Sequence, residues 1–188
     1  ICVSLLLSVR PIHAEEDYSI EQVNHVVTVL RNGYILVNDT IRLNQATPSL
    51  DHFAMGFPYR YGEYLLRCFA HNVSNVFPVV LNTLLGGRVG FYGVEVNFGP
   101  QGAPEIFSVE FVLSSLLLDQ GGQNASQFVL GFPEYPSLTK SVGVCNVTVV
   151  LPGGSTYYTG TTGGTKYGTT NLSQFTCSQA EMAILSTE

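Results

Sequence analysis

Apolar positions in this chain recur every second residue, not every 3.6. Phe107, Val109, Phe111 and Leu113 fall on one side of an extended segment, with Ser108 and Glu110 on the other. Tyr92, Val94, Val96 and Phe98 oppose Glu95 and Asn97 in the same way, and Cys145, Val147, Val149 and Leu151 oppose Asn146 and Thr148. A strand sends alternate side chains to opposite faces, so each segment predicts a strand with one dry and one wet face. Sheets of that kind bury their dry faces against each other. The expected fold class is all-β: an antiparallel β-sandwich with little helix.

The two β-rich runs at 23–30 and 34–43 flank Asn32-Gly33. This dipeptide predicts a hairpin with a two-residue type I′ turn, whose central positions both need positive φ. Further strands are expected at 53–57, 64–71, 76–81, 89–98, 105–113, 128–132 and 142–151. The segment 174–185 is the only weak helical candidate.

The two ends differ from this middle. Residues 1–9 are nearly all apolar, Arg10-Pro11 closes the run, and small Ala14 precedes an acidic stretch. The run is too short to span a membrane and reads as a secretory signal, lacking its basic start and cut after residue 14. From 153 onward Gly and Thr dominate. The expected organisation is a partial signal peptide at 1–14, a sandwich at 15–152, and a Gly/Thr-rich loop or linker with a C-terminal segment at 153–188. The longest apolar runs after the signal, 76–85 and 107–118, are broken by Pro78, Asn82 and Glu110. Any membrane attachment would therefore come from a segment outside these residues.

Composition sharpens the compartment. The 188 residues are 45% hydrophobic and only 12% charged, with 14 Asp+Glu against 8 Lys+Arg. No basic footprint for nucleic acid exists in that balance. Five Asn-x-Ser/Thr sequons, at Asn38, Asn72, Asn124, Asn146 and Asn171, mark N-glycosylation candidates and agree with an extracytoplasmic location: secreted, cell-surface or within the endoplasmic reticulum. After loss of Cys2 with the signal, Cys68, Cys145 and Cys177 remain as disulfide candidates. Three is odd, so one thiol stays free or pairs elsewhere.

Catalytic patterns are not evident. Lys166 follows Thr165 and precedes Tyr167, so the Gly/Thr segment fails the phosphate-loop pattern. No GxSxG or HExxH occurs, and His25, His52 and His71 lack metal-ligand spacing. Asp39, Asp51, Glu63 and Glu95 could supply a carboxylate pair for glycoside hydrolysis only if the fold assembled one. The expectation is a protein that is not an enzyme and needs no cofactor or metal. Tyr59, Tyr61, Tyr64, Tyr157 and Tyr158 could bind sugar or protein by stacking, or serve as ordinary core and rim.

Three segments carry a family resemblance. Residues 26–43, ending Val37-Asn38-Asp39-Thr40-Ile41-Arg42-Leu43, resemble the opening hairpin of a ribophorin I luminal domain. Residues 127–139, with Phe128, Phe132-Pro133 and Tyr135-Pro136, resemble the aromatic and Pro-rich stretch before a late strand of that family. Val147-Thr148-Val149-Val150-Leu151-Pro152-Gly153-Gly154 resembles its strand end. The order is the family's; residues 59–98 have no counterpart, and one domain stands where the family has two. The resemblance implies a non-catalytic accessory module of the oligosaccharyltransferase complex. Its partner would be a protein: the membrane glycosyltransferase complex or its substrate. A rival expectation is a glycosylated cell-surface layer or filament subunit.

Overall fold

The computed structural model describes residues 18–120, 128–155, 165–168 and 173–180. Within them the chain is all β, as the alternation predicts. The strands are β1 (Ile20–Val29), β2 (Ile35–Leu43), β3 (His52–Pro58), β4 (Leu65–His71), β5 (Val76–Phe77), β6 (Val79–Leu85), β7 (Arg88–Asn97) and β8 (Ile106–Leu113). They continue with β9 (Leu118–Gln120), β10 (Phe128–Leu130), β11 (Ser137–Leu138), β12 (Val142–Leu151), β13 (Thr165–Gly168) and β14 (Ser173–Ala180). A short 3-10 segment, Tyr59–Tyr64, joins β3 to β4.

One sheet has eight strands in the order β13-β14-β12-β1-β2-β8-β4-β5, a second has four in the order β11-β3-β7-β6, and β9 pairs with β10 separately. All pairings are antiparallel except β1 with β12, which run parallel. The dry positions meet between the two larger sheets. Phe107 of β8 packs edge-on against Phe53 of β3 at 5.1 Å, and Phe111 packs against Phe57 at 5.4 Å. Val23, Ile41 and Val109 complete that layer with Met55, Val94 and Val96 opposite. Each such side chain contributes about 1.5–3 kcal/mol by leaving water.

Three expectations change. The first hairpin forms, but its turn has three residues: the Leu30 N–H donates to the Tyr34 carbonyl at 2.8 Å, and the Gly33 N–H donates to the Leu30 carbonyl. Gly33 alone takes positive φ, at 85°, the signature of a three-residue loop ending in a left-handed glycine. Pro78 splits the expected strand at 76–81, because it has no N–H for a ladder. Its halves, β5 and β6, belong to different sheets. The described part of the weak helix at 174–185 is instead strand β14 over Ser173–Ala180, paired along β12. The eight-stranded sheet thus continues past residue 152 into the Gly/Thr-rich part.

Candidate functional site

The inward rows of the large sheet hold one polar pair. His25 on β1 and Asp39 on β2 are direct register partners, each 1% exposed. Their Nδ1 and Oδ1 atoms lie 2.5 Å apart. The His25 Nε2 atom is buried without a hydrogen-bond partner. The space beside it, walled by Phe57, Phe132, Tyr135 and Pro136, has no room for a water molecule. Phe132 lies nearly parallel to the imidazole, at 4°. The pair has the form of an oriented histidine, but the packed walls make it a structural brace between β1 and β2.

The other two histidines also meet carboxylates. His52 lies between Asp51 at 3.5 Å and Glu95 at 3.3 Å, and His71 contacts Glu110 at 3.1 Å. Of the four carboxylates that could have formed a hydrolytic pair, Asp51 and Glu95 meet only around His52, while Asp39 is held by His25. Among the described residues no group of three or more His, Cys, Asp or Glu side chains is placed to hold a metal ion, and no helix is long and apolar enough to cross a membrane.

The cysteines separate. Cys68 lies on β4 and Cys145 on β12, with β1, β2 and β8 between them. Four strand spacings of ~4.8 Å put them far beyond the ~7 Å limit for a disulfide, so these two candidates do not pair with each other. Cys68 is a free thiol. Burial, and secondarily the Asp39 carboxylate, push it up to about 12. Cys177 sits on β14 in register with Val147.

Three sequons fall among the described residues, and Asn124 and Asn171 lie outside them. Asn38 and Asn146 sit on the outer face of the eight-stranded sheet, on β2 and β12, each beside buried inward neighbours. Polar side chains bond along this face: Asn146 Nδ2 donates to Asn24 Oδ1 at 2.9 Å, and the Thr40 and Ser108 hydroxyls meet at 3.0 Å. Asn72 closes the turn after β4, where its Oδ1 accepts from the Ser74 and Asn75 amides.

A cleft opens at the 3-10 segment. Tyr59, Arg60, Gly62 and Glu63 line it, with Tyr92 of β7 as the far wall, around a volume of about 390 Å³. Tyr92 stacks on Phe57 at 5.5 Å and 3°. Gly62 lies so close to the ring that a Cβ there would stand 2.1 Å from Tyr92 Cδ2. An Arg60 guanidinium N–H donates to the Tyr61 hydroxyl at 2.9 Å. Glu63 carries the hydrogen bond of Tyr64, and its charge is the main cause that raises the Tyr64 phenol. Burial, then Tyr59 and Cys68, raise the Tyr92 phenol. Tyr59 and Tyr64 were visible as candidates in the sequence; Tyr92 was not, because only the pairing of β3 with β7 brings it to Tyr59.

The last surface feature is a set of exposed apolar side chains spread over both larger sheets: Phe69 on β4 is in register with Glu110 of the eight-stranded sheet, and Val80 on β6 with Glu95 of the four-stranded one. Leu66 and Phe69 on β4, Val76 on β5, Val80 and Leu84 on β6 and Val89 on β7 are all exposed, Leu84 by 68% and Val89 by 87%.

No family model and no curated protein matches the chain. Solved structures similar to it include a putative protease from Parabacteroides distasonis, 11% identical, covering 93% of this chain and 37% of that one with a TM-score of 0.45. The yeast LTA4 hydrolase in complex with bestatin is 10% identical, covering 89% and 28% with a TM-score of 0.46. An M1 zinc metallopeptidase from Deinococcus radiodurans is 14% identical, covering 86% and 39% with a TM-score of 0.39. The chain thus spans between 28% and 39% of the length of these structures. At such identities and scores the likeness bears on neither activity nor substrate.

Proposed function

We propose that this chain is an extracytoplasmic, non-catalytic β-sandwich module of the ribophorin I luminal kind, which holds or presents a polypeptide within a membrane glycosylation complex. The observation that carries the reading is the exposure of apolar side chains on β4 to β7. Apolar side chains left in the open are available to meet a partner. Between residues 59 and 90 the charged side chains are Arg60, Arg67 and Arg88 against Glu63 alone, on a chain whose formal net charge is −6. These strands therefore suit an apolar polypeptide with acidic neighbours. The outer face of the large sheet, with Asn38 and Asn146, is left for glycans.

The test is native-gel migration of the chain from its own cell membranes, solubilised in mild detergent. Co-migration with oligosaccharyltransferase subunits is the expected result. A ladder of multiples of the chain alone would favour the surface-layer reading. A chain running as a monomer would overturn both.

A further inference from the structure

We infer that the cleft between Tyr59 and Tyr92 is a binding site for a neutral saccharide. This role goes beyond the holding of a polypeptide and does not depend on it.

The wall is aromatic and exposed where it matters. Tyr59 is 56% exposed and tilts 43° from Tyr92 at a ring separation of 6.2 Å. A tyrosine ring offers an apolar face for the C–H side of a pyranose and a hydroxyl at its rim. The wall is also rigid. Tyr92 is held by Phe57 on one side and Gly62 on the other. The Arg60 guanidinium is fixed over the Tyr61 ring, 4.9 Å from its centre. Groups held in place before a ligand arrives lose little entropy when it binds.

The rim carries one cation and one anion, Arg60 and Glu63. A carboxylate accepts from neighbouring hydroxyls and a guanidinium donates to them. Their charges offset, so the site has no preference for a phosphate or an acidic sugar. A volume of about 390 Å³ lies in the range of small-ligand sites, ~300–1,000 Å³. The cleft is short and its two rings are not parallel. A proline-rich peptide needs a longer aromatic-lined groove, so the saccharide is the better fit.

Unglycosylated protein from a bacterial host tests this directly. Saturation-transfer NMR is recorded with mannotriose, cellotriose and triacetylchitotriose in turn. At least one trisaccharide is expected to receive saturation on its pyranose C–H protons. Tyr59→Ala should weaken that ligand about tenfold, and Glu63→Gln should weaken it by a smaller factor. Tyr34→Ala, on an exposed tyrosine of the first hairpin, should leave it unchanged. Tyr59→Leu keeps bulk without a ring and should repeat the loss if the alanine variant melts early. No transfer to any of the three sugars overturns the proposal. So does binding that survives both Tyr59 variants, or tighter binding of a proline-rich decapeptide at the same residues.

Discussion

The outward positions of β1, β2, β8 and β12 are mostly polar, whereas β4 to β7, divided between the two larger sheets, leave more apolar side chains exposed. On the first, outward positions hold Asn24, Asn38, Thr40, Ser108 and Asn146; Asn146 bonds Asn24 and Thr40 bonds Ser108 across strands, and Thr40 donates to Asn38 along β2. Of its apolar members, Val26 and Leu36 are half-buried, while Ile106 and Val144 are exposed. On the second, Leu66, Val80 and Leu84 stand out into solvent. Alternation tells which side chains enter a core. It does not require the outward ones to be polar, and where they are apolar the surface is available for another molecule.

The comparison can be broken at its root by removing the brace under the polar face. Asp39→Ala leaves buried His25 without its partner and should cost about 3–5 kcal/mol. Glu110→Ala removes a half-exposed partner of His71 and should cost under about 1 kcal/mol. Urea denaturation of both variants checks the contrast; equal losses would show that burial of the His25 pair is not what matters.

Gly62→Ala comes next. Its Cβ has no space beside Tyr92, and overpacking of this kind costs about 1–3 kcal/mol. Thermal melting should show the loss.

Cys68 gives a pH arm. Burial, and secondarily the Asp39 carboxylate, push its folded pKa up to about 12. The protonated thiol is therefore favoured in the fold, and the stability it contributes is complete below the unfolded value. It is lost as pH rises through that value towards the folded one. Native protein should resist iodoacetamide at Cys68 at mildly alkaline pH, and denatured protein should react. Peptide mass spectrometry reads the site; rapid labelling of the native thiol would contradict the burial.

The smallest expected effect on stability is at Leu84 on β6. Leu84→Asp lies on an exposed edge position and should change stability within about 0.5 kcal/mol. Co-migration with membrane partners should nevertheless fall. A full-strength complex in this variant would remove Leu84 from the contact.

Much of this architecture is legible from the period of two. Strand β12 falls at 142–151, where Cys145 and Val147 alternate with Asn146 and Thr148. The His25–Asp39 pair was hidden by a single turn. A two-residue Asn32-Gly33 loop would set His25 opposite Thr40, whereas the observed three-residue loop sets it opposite Asp39. One residue of slip exchanges the faces, so the turn type decides whether the pair exists. Strand β14 was missed because Ser173–Ala180 has little strand character of its own and is placed by pairing along β12. The cleft was half visible: Tyr59 is local to the 3-10 segment, but its far wall comes from Tyr92, which no local pattern links to it.

The most direct measurement places a photo-crosslinking amino acid at exposed Leu84 on β6 or at Thr28 on the outer face of the large sheet, in living cells. Adducts with other polypeptides are expected at Leu84 and few at Thr28. Equal labelling at the two positions, or labelling confined to Thr28, would contradict that expectation.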